Sequence, residues 1–490
     1  MGKITGFLEY DRQTPEQRPV DERLHDFKEV YRPMDEQAII RQAARCMDCG
    51  VPFCHSGCPL GNLCPEWNDL VYRGQWRLAW ERLSATNNFP EFTGRLCPAL
   101  CEEACVLGIH EGPTAIQAIE KAIVERAFES GWVQPQPPPA RTGKRVAVIG
   151  SGPSGLAAAQ QLNRAGHAVT VFEKSERPGG LLRYGIPDFK LEKWVIDRRL
   201  AVMEAEGIAF ETQADPSVET LQEFDAVVLA TGAGRPRDLP IPGRDLNGIH
   251  FALEYLQQQN RLLGEHPDGA PEWGKINAKE KSVIVIGGGD TGSDCVGTAL
   301  RQGAAEVHSF EVMPRPPDAR SEDQPWPFWP MKLRTSSSHK EGGDRFWSIL
   351  TKAFNGYGGR VRSLETVNVE WTRPTHKGER PRLHEIPGTA YAWHADLVFL
   401  ALGFSGPETD NVLARLGVSV DDRGYVKTDT NFMTGKPGVF AAGDAHRGQS
   451  LIVWAVAEGR DCAAAVDAWL TGGASRLPCR AGIDLTQIKH

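Results

Sequence analysis

The sequence predicts an α/β chain with a helical, cysteine-rich N-terminal domain and two Rossmann-like dinucleotide-binding domains. Three observations predict it. Eight of the eleven cysteines fall in the first quarter, glycines in GxGxxG spacing recur after two separate apolar strands, and the proline-rich run VQPQPPPARTGK parts the cysteines from the first of these. At 490 residues the chain is long enough for two or three domains, each with its own core. The charge is mildly acidic, with 63 Asp plus Glu against 55 Lys plus Arg, and no basic block tracks a phosphate backbone, which argues against nucleic acid. The charged N-terminus lacks a secretory apolar segment and no long apolar run appears, so the expectation is a soluble cytoplasmic protein without a membrane span.

The cysteines come first in the chain. Cys46, Cys49, Cys54 and Cys58 follow the pattern CxxC, four residues, Cys, three residues, Cys-Pro. Structural zinc favours CxxC pairs separated by a loop, whereas this run is close to the ferredoxin pattern CxxCxxCxxxCP with two extra residues before the third thiol. Iron–sulfur is therefore the expected chemistry, with a zinc-bearing nucleotide-binding protein as a remote alternative. In two-cluster ferredoxins the last cysteine of such a run serves the other cluster. Cys46, Cys49 and Cys54 would then hold one 4Fe-4S cluster and Cys58 would begin a second. Cys97, Cys101 and Cys105 in GRLCPALCEEACVLG supply further thiols, the last two on one face if that segment is helical. Cys64 completes a count of eight. Another eighth ligand is available in TAIQAIEKAIVERAFE, where Glu120 interrupts the apolar stripe Ile116, Ile119, Ile123 and Ala127; the plainer reading puts Glu120 at the stripe's edge, in solvent.

Beyond the linker, KRVAVIGSGPSGLAAA reads as strand, glycine turn and helix, and AVTVFE as a second strand ending in Glu173. Gly150, Gly152 and Gly155 permit the tight turn and the approach of a pyrophosphate to the helix N-terminus, while Glu173 accepts from a ribose hydroxyl. The same grammar returns as SVIVIGGGDTGSDC, with Gly287, Gly289 and Gly292, and Glu311 closes the next strand. Two such units imply two different dinucleotides, one flavin and one nicotinamide. The buried strands in FDAVVLATGAG and HADLVFLALGFSG each end in a small-residue turn. In PGVFAAGDAHRGQSLIVWAVAEG, Asp444 could hold a ribityl hydroxyl, and the following helix could face the flavin's pyrimidine end with its positive dipole.

The order of the cysteine domain, VIGSGPSGLAAA, RPGGLLRYGIPDFKL, ATGA, VIGGGDTGSDC, MPRPP and GVFAAGD resembles the family of small (beta) subunits of bacterial NADPH-dependent glutamate synthase over nearly the whole chain. The resemblance implies FAD, two 4Fe-4S clusters, NADPH and a pyridine nucleotide-disulfide oxidoreductase-like fold. It implies domains at 1–140 (clusters), 141–245 with 432–490 (FAD) and 246–431 (NADPH). It also implies a hetero-oligomer with a large (alpha) subunit that makes glutamate from glutamine and 2-oxoglutarate. Carried onto this chain, it gives Gly150, Gly152, Gly155, Glu173, Gly180, Leu181, Gly443 and Asp444 to FAD. Gly287, Gly289, Asp290, Thr291 and Gly292 go to NADPH. In this family a non-cysteine side chain after EGP completes the second cluster, which puts Glu120 there and leaves Cys64 a spectator.

Glu311 sits awkwardly with NADPH, because an acid at that strand end repels the extra phosphate of NADP. Arg315 and Arg320 follow and could carry that 2′-phosphate. The expected reaction is hydride transfer from nicotinamide to flavin, then single electrons to the clusters and out to a partner. It requires no catalytic acid–base pair, so none is assigned; His55 and His446 read as surface or hydrogen-bonding residues and Cys295 as a buried helix cysteine. An electron donor for another acceptor, a ferredoxin or a pyrimidine reductase, is the alternative function. The aromatic insert DQPWPFWPMKLRTSSSHKEGGDRFW is expected to cover the nicotinamide, touch a partner or form a surface loop.

Overall fold

A computed structural model describes residues 2–265, 274–372 and 381–479. The fold is α/β, with helices in the cysteine-rich region and two parallel five-stranded sheets after it. The main helices of the first region are Glu36–Ala44, Cys64–Tyr72, Trp76–Thr86, Pro90–Leu96 and Ile116–Glu129. Asp35 caps the first of them by accepting the Ala38 N–H. Trp67, Val71, Leu83, Ile116, Ile119 and Ile123 are buried together, so the stripe read from the last helix is its core face. Glu120 lies inside that core, 5% exposed, and not at its solvent edge. No regular element lies between Glu129 and Arg145, where the proline-rich run stands.

The first sheet runs in the order Val439–Ala441, Ala226–Leu229, Arg145–Ile149, Ala168–Glu173, Ala209–Thr212, all parallel. Both faces are covered, which is why its central strands are continuous apolar runs and not alternating ones. On one face the helix Pro153–Arg164, opened by a proline at its first position, packs its alanines against the long helix Ile452–Thr471.

The second sheet, in the order Ile249–Phe251, Leu397–Leu400, Ser282–Ile286, Glu306–Glu311, Asp344–Trp347, repeats this plan. An antiparallel sheet, led by the pair Ile349–Tyr357 and Arg360–Trp371, is inserted before its strand Leu397–Leu400. The chain leaves and re-enters the first unit through one short antiparallel pair, Arg235–Pro236 with Phe404–Gly406. Val412, Leu413 and Val426 then pack with Ala147, Ile149 and Phe172 of the first sheet. The return therefore comes well before the expected boundary at 432, because these apolar side chains complete the first unit's core.

Buried charge ties the regions together. Glu91 of the helical region holds Arg199 of the first unit with both oxygens. Glu341, beside the second sheet, takes Arg301 bidentately and Arg23 of the N-terminal segment at 3.2 Å, all three side chains almost wholly buried. Removing one member of such a group strands the others without water, so these contacts fix the orientation of the parts.

Candidate cofactor sites

In both parallel units a glycine turn joins the central strand to its helix. A side chain on Gly155 would put Cβ 2.0 Å from the Gly150 carbonyl oxygen, and one on Gly292 would come 2.2 Å from that of Gly287. The helix thus starts against the end of the strand, and its first N–H groups face the space above the turn. Glu173 accepts the backbone N–H of Ser151 at 3.2 Å and of Ser175 at 2.9 Å, together with the Ser151 hydroxyl. Ser151 in turn accepts the Gly179 N–H at 2.8 Å, which draws Gly180 and Leu181 over the turn. At the other end, Glu458 accepts the Gly443 N–H at 3.0 Å and pairs with Arg447, holding the loop that presents Asp444. Burial pushes the Asp444 carboxyl up to about 6, against a hydrogen bond from the Ser450 hydroxyl at 3.0 Å. Ser450 and Glu458 escaped the sequence reading because each acts on the Gly443-Asp444 turn from several residues away, and Ser151 because it fills the unspecified position between two of the motif's glycines.

One cavity of about 2010 Å³ joins these residues to the second turn. Gly150, Gly152, Glu173, Gly180, Leu181 and Asp444 line one part of it, and Asp290 and Thr291 another. Single-ligand pockets run to roughly 300–1,000 Å³, so this space suits two extended ligands meeting end to end. Gly155, Gly443, Gly287, Gly289 and Gly292 are not part of its lining. Where the two parts meet, Lys190 and Asp294 form an ion pair at 2.5 Å. Burial raises Asp294 to about 6, with Lys190 pulling it down; burial alone would lower Lys190, yet the Asp294 charge leaves it raised.

The two arginines expected near the second ribose part company. Arg315 is exposed, paired with Asp318 at 2.6 Å, and its guanidinium lies 5.9 Å from the Trp347 ring. Arg320 turns away to the cysteine region: it donates to the carbonyls of Gln324 and Phe328 and pairs with Glu103. The loop after Glu311 crosses to the cysteine domain there, so Arg320 is committed to its cover. Lys332 and Arg334 of the same insert also bind Glu103, and Trp326 packs on Phe53 with ring centroids 4.4 Å apart.

The cysteines fall into two sets. Cys46, Cys49, Cys54 and Cys105 ring one small pocket. Cys58, Cys97, Cys101 and Glu120 form the other, close enough that the charges of Cys101 and Glu120 both bear on Cys58 and Cys97. Cys101 and Cys105 do not share a helix face, because the helix there is the single turn Leu100–Glu103 and Cys105 beyond it is extended. Burial drives the Cys46 thiol up to about 12 and also raises Cys58 and Cys97. Thiols this costly to ionise fit a site where metal supplies the positive charge. Glu120 accepts from Asn87 Nδ2 at 3.0 Å and from the Thr93 hydroxyl, and burial lifts it to about 8. Cys64, fully buried, lies near Cys54 of one set and Cys101 of the other. Among the described residues no three His, Cys, Asp or Glu gather tightly enough for a single ion; a 4Fe-4S cubane spreads its ligands across a cage and does not need that. Cys97 also lines the large cavity. His446 binds Glu458 and Cys295 is buried against the Ala252 carbonyl. Among the described residues no helix is long and apolar enough to cross a membrane.

Comparison with known proteins agrees with this layout. Residues 23–132 match the family model for dihydropyrimidine dehydrogenase domain II, 4Fe-4S cluster, and residues 144–326 and 355–459 match pyridine nucleotide-disulphide oxidoreductase. The NADPH-dependent glutamate synthase small chain of Mycobacterium tuberculosis is 56% identical over 96% of this chain and 97% of its own length. That of Bacillus subtilis is 48% identical over 98% of this chain and 100% of its own. The NADH-dependent glutamate synthase of Schizosaccharomyces pombe is 49% identical over 95% of this chain, which matches 23% of that longer protein. Mycobacterium tuberculosis FprA in complex with NADPH shares the fold, with a TM-score of 0.54 at 20% identity over 69% of this chain and 85% of its own. With an iron–sulfur domain, the oxidoreductase fold and full-length identity of this degree, the chain belongs to the glutamate synthase small-chain family.

Proposed function

We propose that the chain is the electron-input subunit of a glutamate synthase, oxidising NADPH and delivering electrons to a large subunit that forms glutamate from glutamine and 2-oxoglutarate. The observation that carries this is the single cavity in which the first glycine turn, the start of the second unit's helix and the cysteine-set residue Cys97 share one wall.

Gly150, Gly152 and Gly155 would admit the FAD pyrophosphate to the helix N-terminus, Glu173 would hold the adenosine ribose and Asp444 the ribityl chain. The N-terminal end of the helix Ile452–Thr471 borders the same cavity and favours negative charge on the flavin's pyrimidine end. Gly287, Gly289, Asp290, Thr291 and Gly292 would take NADPH. Leu182, Tyr184 and Phe189, all buried, keep water from the meeting point of the two ligands. Cys46, Cys49, Cys54 and Cys105 would hold one 4Fe-4S cluster, and Cys58, Cys97, Cys101 and Glu120 a second. FAD bound there supplies the conversion between a two-electron hydride donor and the one-electron clusters. The second set adjoins the flavin cavity through Cys97, and the first, with Val51 exposed beside it, adjoins solvent. This supports the order flavin, inner set, outer set, partner.

The test is anaerobic purification with and without the large subunit. The isolated chain should contain iron and acid-labile sulfide for two clusters and reduce ferricyanide with NADPH, and it should make glutamate only in the complex. Absence of labile sulfide, or a large subunit that neither co-purifies nor is reduced, rejects the assignment.

A further inference from the structure

We propose that Arg345, together with Arg315, forms the clamp for the 2′-phosphate of NADPH and is the residue that decides coenzyme choice. This rests on the reading that the second unit binds a nicotinamide dinucleotide.

Glu311 ends the strand whose terminal acid meets the adenosine ribose in a Rossmann unit. Its carboxylate is held by backbone, Oε2 accepting the Gly288 N–H at 2.7 Å and Oε1 the Met313 N–H at 3.2 Å. Left alone, this charge favours NADH and repels a 2′-phosphate. The strand Asp344–Trp347 runs parallel beside it, pairing Ser309 with Arg345 and Glu311 with Trp347. Arg345 and Trp347 are two residues apart on one strand and so share a face; the Arg345 guanidinium stacks 4.9 Å from the Trp347 ring. The Arg315 guanidinium lies 5.9 Å from the centre of the same ring.

Burial depresses Arg345, the nearby Arg315 charge depresses it further, and Glu311 acts on it in the opposite sense. Two like charges held together beside the ribose position are a cost that a dianion removes. Arg345 forms no ion pair among the described residues, and its one hydrogen bond, to the Arg334 carbonyl at 3.2 Å, leaves most of its donors uncommitted. Among the described residues Arg315 pairs with exposed Asp318 alone, a pair of little worth in water and easily exchanged for phosphate. Arg320, by contrast, is committed to two carbonyls and Glu103. A planar guanidinium braced on an indole suits bidentate phosphate recognition, which lysine would not reproduce.

The experiment uses the full cofactor-loaded chain and compares NADPH with NADH, ferricyanide as acceptor, in the wild type, Arg345→Gln, Arg345→Lys and Glu311→Gln. Calorimetry with 2′,5′-ADP against 5′-AMP gives a readout independent of turnover. Arg345→Gln should lower kcat/KM for NADPH by about tenfold to a hundredfold, leave NADH within about twofold, and weaken 2′,5′-ADP but not 5′-AMP. Arg345→Lys should recover only part, and Glu311→Gln should improve NADPH relative to NADH. Equal losses with both coenzymes, or no loss with NADPH, overturn the clamp. A wild type that oxidises neither coenzyme and binds neither nucleotide overturns the parent reading as well.

Discussion

The side chains gathered around Cys49 and those gathered around Cys97 sit in one helical domain but meet different surroundings. The first set has four thiols and opens beside Val51, at the surface. The second has three thiols and a carboxylate; Cys101 and Glu120 are buried, and Cys97 lines the large cavity. Asn87 and Thr93 hold Glu120 from behind, so its position is set by partners of its own. The contrast teaches that a cluster's place in a protein is read from what lies behind its ligands as much as from the ligands.

The largest effect should come from Cys97→Ser, which strikes the set next to the large cavity. Iron and sulfide should fall by about half, with FAD retained, NADPH still reducing it, and no electrons reaching the large subunit; elemental analysis and stopped-flow absorbance read this. Glu120→Gln should come next, binding a cluster that is lost during gel filtration, and a variant with full, stable iron would show that the carboxylate is not a ligand. Cys49→Ser should remove only the outer cluster: ferricyanide reduction by NADPH stays within about twofold while glutamate formation in the complex collapses, and a simultaneous loss of both clusters would erase the distinction between the sets. The smallest change belongs to Cys64→Ala. Because Cys64 lies near Cys54 and Cys101 but is assigned to neither set, the variant should keep all its iron, at a cost of about 1–2 kcal/mol in thermal unfolding, the loss of one small buried side chain.

Much of this was legible in the sequence where chemistry demands local spacing. The two glycine turns, their acids and the apolar stripe carrying Glu120 needed no tertiary information. The sorting of cysteines did need it, since Cys105 changes partners because a helix stops after one turn. Arg345 carries no motif; only the register of two parallel strands brings it beside the end of the strand that Glu311 closes. Arg320 looked equally eligible in sequence, and its loop took it elsewhere. The early return of the chain into the first unit was hidden for a similar reason, since Val412, Leu413 and Val426 declare their home only through the core they join.

The insert that brings Arg320, Lys332 and Arg334 onto Glu103 and Trp326 onto Phe53 bears on how the chain could be dissected. Severing the chain at the proline run would seem the natural way to obtain a miniature electron carrier. Such a fragment would leave behind the roof over Phe53 and Glu103 and expose a bare acidic and aromatic scar next to its redox centre. Two parts that look separable along the sequence, the cysteine domain and the second unit, are joined in space by this strap.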